Sequence, residues 1–382
     1  MRFFEFRIDN RKSLTEGARI QHAEDIIFWE GSKGAVRAIE SLKSLEQGAH
    51  RDVTIKWDGS PAVIFGRDEE GNFVFTDKSG FTAKGYDGKS KSADDLRNMF
   101  LNRSGGKNRE NPSYVAFANK MAAAYDDFER AVDPNFRGYL KGDMLYFETP
   151  PEKNGQYIFK PNVVTYAVDA DSDIGRKIGN STSGIVIHRL VDESGAERAL
   201  AGNEIETIMQ GDEVLVLPPV TAQEPPQIDD SAIKELQSIV SKNGAAIDAI
   251  LNEEMLRQNK VSDLPTVFYT YLNSKVDTGL TDLAKGFVPW LKQSKVSPAK
   301  QQKIIDIINS NINGFNAIWQ LVAGVMRVKD NIIQQLESQN APIKSSINGQ
   351  EGGEGYVLAH PEGDIKLVSR EFFTKANRAV ER

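Results

Sequence analysis

The chain has 382 residues, 40% hydrophobic and 26% charged, which is the composition of a folded protein with two or three domains. The absence of cysteine excludes disulfide frameworks, thiol nucleophiles and zinc sites with thiolate ligands. Four scattered histidines disfavour an imidazole-rich metal site, so the chemistry is expected from Lys, Arg, Asp and Glu. A net charge of −7 disfavours nucleic-acid binding by the whole surface.

The first half of the chain alternates between helical and strand patterns. Helical spacing predicts one or two helices over residues 20–46. Next, the period-two runs VTIKW, AVIFG and NFVFT, separated by turn residues, predict an antiparallel meander. Residues 93–132 are predicted to be helical, with a mobile loop at the polar patch 102–113. The strand-like runs GYLKGDMLYFE, QYIFKPNVVTYAVDA, SGIVIHRLV and DEVLVLPPV complete a β-rich core.

In the second half of the chain, the pattern of the sequence changes from strands to helices. The proline-containing acidic segment 221–230 is predicted to be a linker, and 231–345 an inserted all-α domain. The runs GYVLAHP and DIKLVSR predict a closing hairpin that returns to the first sheet, with a helical tail behind it. The predicted domains are therefore a core in two parts, 1–220 and 346–382, interrupted by the helices.

Charge and hydropathy give two further expectations. The segment 231–345 holds 13 Lys and Arg against 10 Asp and Glu, so a polyanion is expected to prefer it. The N-terminus lacks the features of a secretion signal, and no long apolar window occurs. The expected location is the cytoplasm, without a membrane partner.

Lys56 closes a predicted strand and directly precedes the turn Trp57-Asp58-Gly59. A lysine at such a position is held rigidly against a ligand. It acts as a nucleophile in its neutral form, which neighbouring cations such as Lys78 and Lys366 favour. Taken alone, this short motif is more typical of an ordinary exposed strand lysine followed by a turn.

The order of further motifs makes the pattern more specific. Lys-x-Asp-Gly is followed by a Lys-Ser-Gly turn, a Gly-Asp strand, a Glu-Gly-x-Val strand and a final strand lysine. In this order the chain resembles the covalent nucleotidyltransferases, the superfamily of ATP-dependent DNA and RNA ligases and mRNA capping enzymes. The resemblance covers about residues 50–220 and 345–382. The matching motifs are Lys56–Gly59 for motif I, Lys78–Gly80 for Ia, Gly142-Asp143 for III, 183–191 for IIIa, 354–357 for IV and 365–367 for V.

The resemblance implies an α+β fold, with an adenylation core of antiparallel sheets, an inserted helical domain and no C-terminal OB-fold. It implies ATP-dependent sealing of 5′-phosphate and 3′-hydroxyl ends of DNA or RNA by a phage-type ligase, in the cytoplasm of the host if the source is viral. Lys56 would carry AMP, with Mg²⁺ or Mn²⁺ as metal, in a monomer. The implied catalytic residues are Lys56, Lys78 and Lys366; the implied nucleotide-binding residues are Ile55, Lys56, Asp58, Gly59, Lys78, Asp143, Glu354 and Lys366; the implied metal ligands are Glu354 and Asp143.

Departures from the family pattern leave alternatives open. Pro61 stands where DNA ligases carry an arginine, and the place of motif IIIa lacks the aromatic residue that stacks on the base, for which Tyr166 and His188 are the candidates. Glu351 is the second candidate for motif IV. Because an OB-fold is missing, the helical domain is expected to hold the polynucleotide through lysines 292, 295, 300 and 303. The alternative functions are a GTP-dependent capping-type transferase and an inactive nucleic-acid-binding protein.

Overall fold

The computed structural model describes residues 21–198, 200, 204–217, 222, 224–276, 278–339, 342–351, 355–360 and 362–371. Two compact units make up the chain. Unit 1 takes in Trp57–Pro218 and Pro342–Glu351, and unit 2 takes in Arg19–Lys56, Pro219–Ala341 and Gly352–Arg382. The predicted C-terminal helical tail lies outside the described residues from 372 onward.

The elements are numbered here in chain order. The strands are β1 (Gln21–His22), β2 (Val53–Ile55), β3 (Ala62–Arg67), β4 (Phe73–Asp77), β5 (Gly138–Tyr146), β6 (Glu152–Lys153), β7 (Gln156–Phe159), β8 (Thr165–Asp169), β9 (Ser183–Val191), β10 (Glu197–Arg198), β11 (Val214–Val216), β12 (Ile343–Ile347), β13 (Gln350–Glu351), β14 (Tyr356–Leu358) and β15 (Ile365–Leu367). The helices are α1 (Ile26–Ser44), α2 (Lys78–Phe81), α3 (Ala93–Asn102), α4 (Pro112–Ala131), α5 (Asp173–Asn180), α6 (Glu204–Ile208), α7 (Asp230–Ile250), α8 (Glu253–Gln258), α9 (Leu264–Ser274), α10 (Leu283–Gln293), α11 (Pro298–Ser310) and α12 (Ile312–Glu337).

Unit 1 is built on two sheets. One has the strand order β10-β9-β5-β3-β4, with β11 added parallel to β9, and the other has the order β13-β12-β8-β7-β6. The apolar face of the first sheet packs on α3 and α4, where Phe65, Phe75 and Phe128 are fully buried. This α+β architecture with antiparallel sheets confirms the coarse fold class.

The helices on this sheet begin where their side chains supply caps. Ser92 accepts a hydrogen bond from the backbone N–H of Asp95 at the start of α3. Asn111 does the same for α4, where Pro112 takes the first turn. Between these helices, residues Arg103–Glu110 of the predicted mobile loop form 3₁₀ turns, and the Asn108 amide donates to the Phe100 carbonyl at 2.9 Å.

Unit 2 joins a small sheet to a helical core. The sheet has the order β1-β15-β14-β2, in which β1 and β15 are parallel and the other pairs antiparallel. The core contains the buried faces of α1 and of the helices of 230–337 together with the inward side chains Val53, Leu358, Ile365 and Leu367. The helices of the predicted inserted domain thus group with the first helix and with the closing hairpin, a division that differs from the predicted boundaries.

Two local predictions need correction. The run VTIKW does not continue the meander into AVIFG, because β2 pairs with β14 in unit 2 while β3 pairs with β4 and β5 in unit 1. The described part of the predicted linker is also not a free connection. The backbone N–H groups of Glu224 and Gln227 donate to Gln339 and Gln335 near the end of α12, at 3.3 and 2.7 Å.

The closing hairpin is confirmed. Strands β14 and β15 are antiparallel, with Leu358 opposite Ile365, and β14 pairs in turn with β2, with Leu358 opposite Val53. All three of these side chains are buried. The C-terminal strands therefore return to a strand from the beginning of the chain, but this strand is β2 and not part of the sheet of β3, β4 and β5 to which the hairpin was predicted to return.

Candidate active site

Lys56 directly follows β2, and its backbone N–H donates to the Gly355 carbonyl at 2.9 Å. This bond extends the pairing of β2 with β14 by one residue. Gly355 has a φ of +96°, and a Cβ at this position would lie 2.4 Å from the Leu367 carbonyl oxygen. Only glycine therefore allows the chain to enter β14 at this point.

The strand register places Lys56 and Lys366 on one face of the sheet. Thr54 lies opposite Val357, and Val357 lies opposite Lys366. Side chains alternate along a strand, so Lys56 shares the face of Thr54 and hence that of Lys366. Two strand spacings and a two-residue offset put the two lysine Cα atoms about 12 Å apart, within reach of one phosphate chain for two long side chains.

The other predicted residues of unit 2 have different outcomes. Ile55 pairs with Tyr356, so its side chain points to the opposite face of the sheet from Lys56. Glu354 lies outside the described residues, one position before Gly355. Glu351 belongs to β13, which pairs with β12 in unit 1. Of the two glutamates, only Glu354 therefore adjoins the strand that pairs with β2.

Asp58 and Gly59 form a tightly held turn in unit 1. The Asp58 carboxylate is buried and accepts hydrogen bonds from the Asn162 amide at 3.0 Å and from the backbone N–H groups of Val163 and Val164 at 2.8 and 3.2 Å. A Cβ on Gly59 would lie 2.5 Å from the Cβ of Asp143. Asp58 thus holds the turn to the segment before β8, and its contact with a nucleotide stays a prediction, as does that of Gly59.

Asp143 and His188 are hydrogen-bonded on neighbouring strands. Asp143 lies opposite Val186 in the register of β5 and β9, which puts His188 on the same face. The Nε2 atom of His188 lies 2.9 Å from Oδ2 of Asp143, and 44% of the histidine side chain is exposed. This geometry leaves His188 accessible and gives Asp143 a partner that the sequence did not indicate.

Tyr166 is not available to stack on a base. Its side chain is 1% exposed and packs against Trp57, with ring centroids 4.8 Å apart, and against Phe159. Its hydroxyl accepts the backbone N–H of Asp58 at 2.6 Å. Of the two candidates from the sequence, only His188 is exposed.

Lys78 is exposed at the first position of α2, directly after β4. Asp77 caps this short helix by accepting a hydrogen bond from the Gly80 N–H at 2.8 Å. Arg103 donates two hydrogen bonds of 2.6 Å to the same carboxylate. Lys78 directly follows β4, and Asp143 lies in β5. In the sheet, β3 lies between these two strands.

No sequence motif indicates that His22 lies beside the candidate lysines. It lies opposite Lys366 in the parallel pairing of β1 with β15, on the same face as both lysines. Burial, and next the charge of Arg370, lower the pKa of His22 well below its usual value, so the imidazole is neutral at pH 7. A two-residue strand gives no periodic signal, and therefore only the pairing shows this neighbour.

Within the described ranges, no group of three His, Asp or Glu side chains has the geometry to hold a metal ion. Glu354 and Asp143 stay the predicted metal ligands, because Glu354 lies outside those ranges. In the same part of the chain, no helix is long and apolar enough to cross a membrane.

Comparison with known proteins identifies the family of the chain. Neither the curated proteins nor the solved structures contain a significant relative of the chain. One family model matches residues 18–382, nearly the whole length and both units. The chain therefore belongs to a family of unknown function, DUF6267.

Proposed function

We propose that this protein is an ATP-dependent polynucleotide ligase with the adenylation core of the covalent nucleotidyltransferases. One observation carries the proposal. Lys56 and Lys366, 310 positions apart in the sequence, lie on one face of the same small sheet. These are the lysines of the predicted first and last motifs, and their placement fits one nucleophile and one phosphate-binding cation.

The proposed first step is attack by the neutral Nζ of Lys56 on the α-phosphorus of ATP. A nitrogen–phosphorus bond forms, the bond from phosphorus to the pyrophosphate oxygen breaks, and the amine proton passes to solvent. The ammonium of Lys366 offsets the charge of the phosphate oxygens. A Mg²⁺ ion, when bound, would neutralise charge on the leaving pyrophosphate.

Two further steps complete ligation. The AMP moves from Lys56 to a 5′-phosphate of the polynucleotide, which frees the lysine and leaves a phosphoanhydride. A 3′-hydroxyl then attacks the 5′-phosphorus, forms the phosphodiester and releases AMP. We propose Glu354 and Asp143 as the ligands of the metal ion.

The test is incubation with ATP or GTP labelled at the α-phosphate, in the presence of Mg²⁺, followed by denaturing electrophoresis and intact mass measurement. We expect a covalent AMP adduct with ATP, lost in Lys56→Ala and in Lys56→Arg, since a guanidinium with a pKa above about 12 supplies no neutral nitrogen. Lys33→Ala, an exposed lysine of α1, is the control and should keep the adduct. Labelling of Lys56→Ala, or none in the wild type, would refute the proposal.

A second test concerns motifs IV and V. We expect Glu354→Ala and Lys366→Ala to reduce adenylylation at least tenfold, a loss of about 1.4 kcal/mol in transition-state stabilisation or more. Glu351→Ala is the matched control, because Glu351 belongs to a strand that pairs elsewhere. Initial rates of adduct formation provide the measurement. Equal losses from Glu351→Ala and Glu354→Ala would show that motif IV is misplaced.

A further inference from the structure

A cavity of about 590 Å³ opens in unit 1, and Arg103, the partner of Asp77, is one of the residues that line it. It is lined by the segment that leads into α3 and by one side of that helix, including Tyr86, Lys89, Lys91, Asn98, Asn102 and Arg103. Its volume is in the range of small-molecule sites, large enough for one or two nucleotides. Cations, carboxamides and an aromatic ring are the groups that bind phosphate, base edge and base face. The carboxylates of Asp87 and Asp95 also line the cavity, so a phosphate is expected at its edge rather than beside them.

Tyr86 supplies the aromatic ring. Its side chain is 48% exposed, and it is the one large hydrophobic residue of unit 1 with such exposure in the described part of the chain. In the helices of 230–337, Phe268, Tyr271, Phe287 and Trp319 are buried in the core, and Tyr269 is 36% exposed. Tyr86 is therefore more accessible to a base than these rings.

The cations around the cavity differ in their partners. Residues 78–110 hold eight Lys and Arg against four Asp and Glu, but three of the cations pair with Glu193, Asp68 and Asp77, which lie outside this segment and reduce its excess from +4 to +1. Lys89, Lys91 and Arg103 each pair with a carboxylate, which fixes them in the cavity wall. Arg109 is different, because its partner is the neutral amide oxygen of Asn102, at 2.7 and 3.2 Å, and its charge is not cancelled there.

The helices of 231–345, called the helical unit below, are less favourable as a polynucleotide site. Their excess of +3 is spread over 231–345, and part of it is internally neutralised. Lys300 contacts Asp263 at 2.5 Å, Lys285 contacts Asp282 at 3.7 Å, and Lys329 is fully buried against Glu24. The segment 78–110 therefore differs from the helices through the exposed ring of Tyr86 and through Arg109, whose hydrogen-bond partner is a neutral amide.

We propose that this cavity binds a single-stranded polynucleotide, with one base stacked on Tyr86 and a flanking phosphate on Arg109. An unpaired strand fits because a duplex keeps its base faces inside the stack, away from a protein ring. The proposal names the substrate of the ligase proposed above and in that sense rests on it. The binding itself needs no nucleotide transfer and is measured without ATP.

The experiment is fluorescence anisotropy with labelled oligo(dT) and oligo(U) of about 20 nucleotides, at several salt concentrations. We expect Tyr86→Ala to weaken binding about tenfold and Tyr86→Phe less than about twofold, because phenylalanine keeps the stacking face. We expect Arg109→Gln to lower the slope of log affinity against log salt by about 0.7, the value for one lost phosphate contact on a single strand. The tighter of the two probes identifies DNA or RNA as the substrate.

The matched control is Lys33→Gln, an exposed lysine of α1, which should leave affinity and salt slope unchanged. The helical variant Lys292→Gln with Lys295→Gln tests the other expected polyanion site, and the inference predicts no change in affinity or salt slope from it either. The inference is overturned if wild-type protein binds neither probe, if a duplex of the same sequence binds more tightly, or if the helical variant alone loses binding. Binding that depends on Tyr86 in a protein that forms no AMP adduct would uphold this inference and reject the ligase.

Discussion

Asp330 sits in α12 beside an unusual set of buried charges in unit 2. Its neighbour Lys329 lies 2.8 and 2.9 Å from the two carboxylate oxygens of Glu24, and Arg370 contacts Glu24 at 3.0 Å and Asp25 at 2.5 Å. Asp330 takes no part in these pairs. Its buried Oδ1 atom finds no hydrogen-bond partner among the described residues, and burial raises the pKa of its carboxyl to about 6.

This shift predicts a dependence of stability on pH. The folded protein keeps a proton on Asp330 that the unfolded chain releases near pH 3.8, so stability falls as pH rises from about 4 to 6 and the full cost remains above pH 6. We expect Asp330→Asn to raise the free energy of unfolding at pH 7.5 by up to about 2 kcal/mol, and the gain to disappear near pH 4.

Urea denaturation at the two pH values measures both quantities. Asp306→Asn, at an exposed position of α11, is the control and should change the free energy of unfolding by less than about 0.5 kcal/mol at either pH. A gain of the same size at pH 4 and pH 7.5 would show that the effect of Asp330→Asn does not arise from its ionisation.

At the scale of elements, α1 consists of two helical segments joined at Gly31. Gly31 has a φ of +61°, which interrupts the helical geometry. Beyond it, the backbone N–H and the hydroxyl of Ser32 each donate to the Asp248 carboxylate of α7 at 2.7 Å. Asp248 therefore caps the second segment of α1 from another helix, and the kink fixes how these two helices pack.

We expect Gly31→Ala to lower the free energy of unfolding by about 2–4 kcal/mol, since its Cβ would lie 2.4 Å from Oδ1 of Asp248 and break the cap. Gly105→Ala is the matched control, because Gly105 has a similar φ of +67° with open space around it. It should cost only about 1–2 kcal/mol of backbone strain. Equal losses in urea denaturation would mean that the Asp248 contact contributes nothing.

For the molecule as a whole, the helices of 230–337 cannot be treated as a removable insertion. They share one core with α1 and with the inward face of the small sheet, where Val53, Ile365 and Leu367 are buried. We expect replacement of residues 224–339 by a short Gly-Ser linker to expose this face, to increase binding of a hydrophobic dye and to abolish adenylylation. Circular dichroism, dye fluorescence and adduct formation measure the three effects.

The predicted division into a core with an inserted domain would give another result. In that case the shortened protein would unfold cooperatively, bind no dye and still label Lys56. Such an outcome would show that the sheet carrying Lys56 and Lys366 is stable without the helices that cover it.

The sequence by itself determined the local elements and their order. Apolar runs of strand length between turn residues located β3, β4, β5 and β9; β3 and β4 are buried on both faces, so their runs are nearly continuous. Helical spacing located α3, α4, α7, α8, α11 and α12, whereas the break predicted near Pro289 lies inside α10. The hairpin of β14 and β15 was also predictable, since two short apolar runs flank a turn. Lys56 and Lys366 could be chosen as candidate site residues from the order of the motifs.

Tertiary structure alone decided which strands pair and which groups meet. Strand β2 pairs with β14 and not with the expected meander. Its buried residue Val53 lies opposite Leu358, which is more than 300 positions away in the sequence. The pairings of β2 with β14 and of β14 with β15 put Lys56 and Lys366 on one face, and the pairing of β1 with β15 brought His22 beside Lys366. In unit 1, the separate pairing of β5 with β9 brought His188 to Asp143. Local patterns specify which face of a strand is apolar, but the neighbour of that face depends on the packing of distant segments, which no local pattern contains.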